Sequence, residues 1–128
     1  MALEENPLAL IIEDDETLSF VASEALRMAS FHPEILRDGQ VAQNRLNEVV
    51  PAVVVLDLHL PRVSGREILG QIRSDSRLAQ TKVFLATADP ATAQILRPDA
   101  DLVLLKPYTF SQLNHLASRY HPRRAMPG

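Results

Sequence analysis

Continuous apolar runs alternate along the chain with stretches in which apolar residues recur every three or four positions. The runs are typical of strands buried on both faces of a parallel sheet, and the spaced positions are typical of amphipathic helices. The predicted strands cover residues 8–12, 34–37, 52–56, 82–86 and 102–105. Five strands alternating with five helices predict an α/β fold with a doubly wound, five-stranded parallel sheet and right-handed crossovers.

Each predicted helix has one apolar side. Asp15 is the expected N-cap of the first helix, and Asp38-Gly39 opens the second. The fourth helix must fit between Pro90 and Pro98, so it is short and weakly patterned. Pro33 cannot donate to a ladder and favours an edge position for the second strand. The predicted inward-facing residues are Val21, Ala22, Ala25, Leu26, Met28 and Ala29 in or beside helix one, Ala42, Leu46 and Val49 in helix two, Ile68, Leu69 and Ile72 in helix three, and Phe110, Leu113, Ala117 and Tyr120 in helix five, with Tyr108 packed at its entry.

Length and composition predict one globular domain. The chain has 128 residues, of which 46% are hydrophobic and 23% charged, and we expect the domain over residues 7–121 with a tail over 122–128. The last eight residues, from His121, have the composition of a frayed end. The absence of cysteine excludes disulfides and thiolate metal sites. No secretion signal or membrane-spanning run is present, so we expect a cytoplasmic protein without membrane contact. A net charge of −3 gives no indication of the basic surface that nucleic-acid binding requires.

Polar residues follow four of the predicted strands. An acidic cluster at residues 13–16 follows the first strand, Asp57 ends the third, Thr87 ends the fourth and Lys106 follows the fifth. Any one of these acids could simply cap a turn or a helix. The carboxyl ends of parallel strands share one edge of the sheet, where ligands bind in open α/β folds. The four strand ends together therefore predict one site.

Converging carboxylates repel one another unless a cation binds between them or a pKa rises. Mg²⁺ fits such a site best, because it binds carboxylate and carbonyl oxygens, keeps several waters and bridges to phosphate. Asp57 can then attack phosphorus to form an aspartyl phosphate. Lys106 would neutralise one phosphoryl oxygen, and the Thr87 hydroxyl would bind another.

Over residues 7–121 these motifs resemble the receiver domain of bacterial two-component response regulators, of the stand-alone type typical of chemotaxis regulators. The resemblance aligns the acid pair with Glu13 and Asp14, the phospho-acceptor with Asp57 and the switch hydroxyl with Thr87. It aligns the family's lysine and cis-proline bond with Lys106-Pro107. Asp38-Gly39 with Ala42, and Ser64-Gly65, match two further family patterns.

The resemblance implies a flavodoxin-like strand order 2-1-3-4-5 and assigns roles to the site residues. Mg²⁺ would be held by Asp14, Asp57 and the backbone carbonyl of His59, with Glu13 acting through water. Thr87, Ala88 and Lys106 would bind the phosphoryl group. The expected switch and output positions are Thr87, Val103 and Tyr108, and the expected hydrolysis-tuning positions are His59 and Asp89.

Two positions depart from the family pattern. Val103 stands where an aromatic switch residue is usual, and Lys106 follows Thr87 by only 19 positions. That spacing is roughly three residues shorter than the family alignment, or about one helical turn. We therefore expect an intact phosphorylation site and an altered output face.

The implied function is a single-domain receiver that accepts a phosphoryl group on Asp57 from a histidine kinase or phosphotransfer protein and signals by protein contact. It would not be an enzyme beyond weak self-phosphorylation and self-dephosphorylation. The main alternative is a degenerate receiver that binds proteins without phosphorylation. An aspartate-nucleophile phosphatase of the haloacid dehalogenase type would need an aspartate at His59, and a flavodoxin would need a hydroxyl- and glycine-rich loop after the first strand.

Overall fold

The computed structural model describes residues 6–123. Five parallel strands form one sheet in the order β2-β1-β3-β4-β5, which confirms the predicted fold class and strand order. The strands are β1 (Leu8–Ile12), β2 (His32–Leu36), β3 (Val53–Asp57), β4 (Lys82–Thr87) and β5 (Leu102–Leu105), and the helices are α1 (Glu16–Met28), α2 (Gly39–Leu46), α3 (Gly65–Ser74), α4 (Pro90–Leu96) and α5 (Phe110–Arg119). Short 3₁₀ turns follow α3 at Ser76–Leu78 and α4 at Arg97–Asp99.

The central strands are apolar throughout because both faces of the sheet are covered. Successive side chains of a strand point to opposite faces, so Val53 and Val55 pack with α1 and α5, whereas Val54 and Leu56 pack with α2 and α3. All five residues of β3 are buried. Burial of one such aliphatic side chain stabilises the fold by about 1.5–3 kcal/mol, so the two layers hold Asp57 at a rigid strand end.

The first two helices begin at their predicted residues. Asp15 accepts a hydrogen bond from the Leu18 N–H at 2.7 Å, and Asp38 accepts one from the Val41 N–H at 2.8 Å. Both contacts satisfy amides that have no partner inside the helix. α4 has only seven residues, as its flanking prolines predict, and buries only Ala93 and Leu96.

Strand β2 begins two residues before its predicted start. It runs over His32–Leu36 and pairs with β1 alone, so Pro33 lies inside an edge strand and does not precede it. The His32 N–H donates to the Pro7 carbonyl at 2.8 Å. An edge strand tolerates proline, because one of its sides has no ladder to complete.

Several predicted burial positions are wrong or only partly right. Met28 is 70% exposed, since it lies about 200° around α1 from buried Leu26. Phe110 is 39% exposed, because it begins α5 one turn before the first buried position, Leu113. Val49 is half-buried, and it lies beyond the end of α2.

His121 corrects the expectation of a frayed end. It is only 7% exposed, its ring lies 4.8 Å from that of Phe31, and its Nε2 atom lies 3.0 Å from the Ser30 carbonyl oxygen. Its Nδ1 atom accepts a hydrogen bond from the Arg123 N–H. The ordered chain therefore continues past α5, while residues 124–128 of the predicted tail lie outside the described residues.

Candidate functional site

The polar residues singled out at the strand ends lie along one edge of the sheet. Glu13 directly follows β1, Asp57 is the last residue of β3, and Thr87 is the last residue of β4. β3 and β4 pair with Asp57 opposite Ala86, so Thr87 lies one residue beyond the partner of Asp57. Thr87 is itself opposite Leu105, and Lys106 follows. Parallel pairing thus brings side chains from four strands to one crevice.

Three carboxylates form the centre of this crevice. Glu13, Asp14 and Asp57 each offer an oxygen atom, and these atoms all lie within 4.8 Å of one another. Glu13 and Asp57 are each 1% exposed, whereas Asp14 is exposed. Asp15 does not belong to this cluster, because its side chain caps α1. Two buried acids and one exposed acid leave the cluster open to solvent on one side.

Lys106 lies between the two buried acids. Its Nζ atom is 2.8 Å from Oε1 of Glu13 and 3.0 Å from Oδ1 of Asp57. The backbone N–H of His59 also donates to Oδ1 of Asp57, at 3.1 Å. These charge-assisted contacts offset the free-energy cost of removing the two carboxylates from water. Sequence reasoning brought Lys106 to this edge but missed its contact with Glu13, which no local pattern encodes.

Burial changes the ionisation of this group. Burial raises the pKa of Glu13 to about 7, although the Lys106 ammonium and the Asp15 N–H favour its charged form. Burial alone would lower the pKa of Lys106, but hydrogen bonds and charge from Glu13 and Asp57 together raise it above its ordinary value. Lys106 therefore keeps its positive charge inside the crevice.

The donor set fits a hard divalent cation. Mg²⁺ usually takes one or two carboxylates from a protein and keeps several waters, and the exposed side of the cluster leaves room for such waters. A buried glutamate with a raised pKa is also a group that a nearby cation would return to its charged form. The structure supports divalent metal binding at Glu13, Asp14 and Asp57.

The loop after β4 is organised by Thr87 and Asp89. Thr87 is fully buried, and its hydroxyl accepts a hydrogen bond from the Asp89 N–H at 3.1 Å. Asp89 caps α4 by accepting from the Ala91 N–H and the Thr92 hydroxyl. These bonds, and more weakly the charge of His59, lower the pKa of Asp89. His59 and Asp89 are exposed, as predicted for the rim of the site, and Ala88 is exposed as well.

Of the expected output residues, Val103 lies in β5 and Tyr108 lies shortly before α5. Val103 is half-buried opposite Leu85 of β4 and packs against the core layer under α4. It also lines a cavity of about 370 Å³ between α4 and β5. Tyr108 is 4% exposed, which confirms the predicted packing role. Its hydroxyl has no hydrogen-bond partner among residues 6–123, and burial with the charges of Glu13 and Asp57 raises its pKa above the ordinary tyrosine value.

Two backbone features complete the site. The Lys106–Pro107 peptide bond is cis, as the resemblance implied. Gly65 approaches the acceptor so closely that a β-carbon there would lie 2.2 Å from the backbone oxygen of Asp57. Sequence reasoning recorded Ser64-Gly65 only as a matching pattern and missed this contact. The sequence signal for this contact was a glycine placed just after the loop that follows Asp57, because only glycine lets two backbones approach so closely.

The comparisons with known proteins agree with this geometry. Residues 9–118 match the family model described as response regulator receiver domain. The chain belongs to this family, which confirms the resemblance seen in its motifs.

Curated relatives include regulators from bacteria and archaea. The chain is 32% identical over 106 residues to the transcriptional regulatory protein TrcR of Mycobacterium tuberculosis, a match that covers 81% of this chain but only 41% of TrcR. It is 33% identical over 117 residues to the probable methanogenesis regulatory protein FilR2 of Methanothrix harundinacea, covering 83% of this chain and 76% of FilR2. The chain therefore spans less than half the length of TrcR.

Solved structures show the same fold. The chemotaxis response regulator CheY4 of Vibrio cholerae has a TM-score of 0.81 at 22% identity, covering 90% of this chain and 98% of CheY4. The BeF₃-activated receiver domain of DrrB, a Thermotoga maritima protein, has a TM-score of 0.80 at 26% identity, covering 90% and 97%. Within residues 6–123, no helix is long and apolar enough to cross a membrane.

Proposed function

We propose that Asp57 accepts a phosphoryl group from a histidine kinase or a histidine phosphotransfer protein in a Mg²⁺-dependent reaction. The observation that carries this proposal is the position of the Lys106 ammonium, 3.0 Å from the acceptor Asp57 within a cluster of three carboxylates. Membership of the receiver family supports the choice of partner. We place the functional domain at residues 7–121 and the protein in the cytoplasm.

In this proposal the side chains of Asp14 and Asp57 and the backbone carbonyl of His59 would hold Mg²⁺, with Glu13 acting through water. When bound, the cation withdraws charge from the transferring phosphoryl oxygens. Oδ1 of Asp57 already receives Lys106 and the His59 N–H, which leaves Oδ2 as the attacking atom. An O–P bond forms and the P–N bond of the donor phosphohistidine breaks. The leaving imidazole nitrogen keeps the electron pair of that bond and takes a proton from water.

The chain's own groups then hold the product. A phosphoryl group adds about −1.5 to −2 charges to a crevice that is already acidic, so Lys106 has to shift from Glu13 toward a phosphoryl oxygen. The Thr87 hydroxyl would exchange its contact with the Asp89 N–H for another phosphoryl oxygen, and the Ala88 N–H would bind the same group. That exchange would loosen the start of α4, because Asp89 caps this helix.

Loss of the phosphoryl group would occur by attack of water from the exposed rim. His59 and Asp89 both lie there, and we propose that they set the rate of this attack. The protein would be a signalling module with weak self-phosphorylation and self-dephosphorylation. Its output would pass by protein contact through the face made by α4, β5 and α5, which includes Val103 and has Tyr108 packed beneath it, under the control of Thr87.

The test is incubation with a small phosphodonor such as acetyl phosphate, with and without Mg²⁺, followed by intact mass measurement. Wild type should gain one phosphoryl group only with Mg²⁺, and Asp57→Asn should gain none. Asp99→Asn is the matched control, because Asp99 is exposed and lies after α4, away from the crevice. A folded wild type that gains no phosphoryl group would favour the phosphorylation-independent binding module.

A further inference from the structure

The second glycine of interest, Gly39, is required for space and not for an unusual backbone angle. It is the first residue of α2 and its φ is not positive. A β-carbon at this position would lie 1.9 Å from the backbone oxygen of Val63 and 2.7 Å from the Val63 carbonyl carbon. Non-bonded carbon atoms are normally about 3.5–4.0 Å apart. The start of α2 therefore lies directly against the backbone of another segment.

That segment is the loop of residues 58–64, which follows Asp57 and which we call the acceptor loop. The Gly39 N–H donates to the Pro61 carbonyl at 3.2 Å. The Arg62 guanidinium lies 3.8 Å from Oδ2 of Asp38, whose Oδ1 atom caps α2. Arg62 has a φ of 73°, a left-handed value that is unusual for a side chain of this size. The Asp38-Gly39 corner thus contacts the acceptor loop at three successive residues.

The other contacts of the acceptor loop lead back to Asp57. The Gly65 N–H donates to the Leu58 carbonyl at 3.2 Å, and Gly65 abuts the Asp57 backbone. The His59 N–H donates to the Asp57 carboxylate. The loop is consequently held at one end by Asp57 and Gly65 and on its outer side by Asp38 and Gly39.

We propose that the Asp38-Gly39 corner is a positioning element that fixes the acceptor loop so that the His59 carbonyl stays at the metal position. This inference rests on the proposed function, and it assigns a role to a motif that the phosphoryl chemistry does not use. The corner acts mainly through backbone contact, and the exposed Asp38–Arg62 ion pair, at 3.8 Å, contributes a smaller share.

The size of the expected effect follows from the geometry. A methyl group on Gly39 has to push the Val63 carbonyl, or α2 itself, by roughly 1 Å. A misplacement of about that size can lower the rate of a positioned reaction by about 100-fold. Mg²⁺ demands near-ideal octahedral geometry, so a displaced carbonyl weakens its binding as well.

Gly39→Ala tests this directly, and Gly70→Ala is its matched control. A β-carbon on Gly70 would meet nothing within 4 Å, and Gly70 lies inside α3. Calorimetric titration should show Mg²⁺ affinity lowered by about tenfold or more in Gly39→Ala and unchanged in Gly70→Ala. Without Mg²⁺, amide exchange should rise at His59, Val63 and Gly65 in Gly39→Ala but not in β5.

A second pair of variants covers the case in which Gly39→Ala does not fold. Asp38→Asn keeps an acceptor for the Val41 N–H but loses the charge that faces Arg62, and Arg62→Gln loses the other charge. At low salt each should weaken Mg²⁺ binding by about two- to threefold, with no further loss in the double variant and no loss at about 1 M salt.

The outcomes separate the two proposals. If wild type fails to take a phosphoryl group, the proposed function fails, yet loop exchange in Mg²⁺-free Gly39→Ala still tests the corner. The positioning role is overturned if Gly39→Ala folds with wild-type Mg²⁺ affinity and wild-type exchange in residues 58–65. It is equally overturned if Gly39→Ala does not fold and Asp38→Asn binds Mg²⁺ at low salt as tightly as wild type does.

Discussion

The ammonium nitrogen of Lys106 lies 2.8 Å from Oε1 of Glu13, a carboxylate with 1% of its residue surface exposed. The same ammonium contacts Asp57 at 3.0 Å. One cationic side chain therefore partly neutralises the charge of two buried acids, and a divalent ion bound at this cluster would neutralise part of the same charge. Stability and metal binding should be coupled through Lys106.

Lys106→Met should lower the melting temperature in the absence of Mg²⁺. Removal of the cation leaves the two buried carboxylates with only the backbone N–H groups of Asp15 and His59, at a cost of roughly 2–3 kcal/mol. This cost is below the value for a fully buried pair because Glu13 can take up a proton. Added Mg²⁺ should raise the melting temperature of this variant more than that of wild type. Lys82→Met is the control, since Lys82 is 4.0 Å from Asp101 and far more exposed. Equal Mg²⁺ shifts in Lys106→Met and wild type would contradict the coupling.

Asp14→Asn and Asp15→Ala should have opposite effects on Mg²⁺ affinity and on stability. Asp14 offers its carboxylate to the metal cluster, so its loss should weaken Mg²⁺ binding strongly and change stability little. Asp15 caps α1, so its loss should cost about 1 kcal/mol of stability and leave Mg²⁺ binding nearly intact. Thermal unfolding and Mg²⁺ titration of both variants check this. Similar titration curves would show that the acid cluster has been assigned wrongly.

The double variant His59→Gln with Asp89→Asn should change the rate of dephosphorylation several-fold. Both side chains are exposed at the rim, and the charge of His59 reaches Asp89. Asparagine at position 89 preserves an acceptor for the Ala91 N–H, so α4 should keep its cap and the melting temperature should hold. Decay of labelled protein after removal of the phosphodonor measures the rate. An unchanged rate would mean that another group controls the approach of water.

Phosphorylation should alter amide exchange mainly in residues 87–100. α4 is short and leaves Ile95 67% exposed, so little packing holds this segment in place. Thr87→Ala should blunt the response, whereas Thr87→Val controls for side-chain shape without the hydroxyl and should blunt it equally. Val103→Ala should leave it nearly intact, because a valine has a stiff χ1 and exposes little surface on rotation. Identical exchange with and without the phosphoryl group would favour the binding-module alternative.

The strands and the site were predictable from sequence because their determinants are local. An apolar run such as β3 is typical of a strand covered on both faces, as in a parallel sheet, and parallel strands bring Asp57, Thr87 and Lys106 to one edge. The capping role of Asp15 could likewise be predicted from the helical spacing of the apolar residues that follow it. The end of each strand, more than its interior, carried the functional signal.

The misses concern contacts between segments distant in sequence. The exposure of Met28 depends on which side of α1 faces the sheet, and the burial of His121 depends on Phe31 and Ser30, about 90 residues earlier. The fit of Gly39 against Val63 is another long-range contact. Hydrophobic spacing reports the side of a helix only approximately, and it reports nothing about which backbone another segment will touch.

The burial of His121 has a practical consequence for anyone who shortens or fuses this chain at its carboxyl end. A truncation after Tyr120 would strip the ring that covers Phe31 and would leave the Ser30 carbonyl open to water. A fluorescent or affinity tag should therefore be joined after Arg123, whose own N–H bonds to the histidine ring. Joined earlier, a tag would report on a damaged carboxyl end and could be mistaken for an effect of the signal.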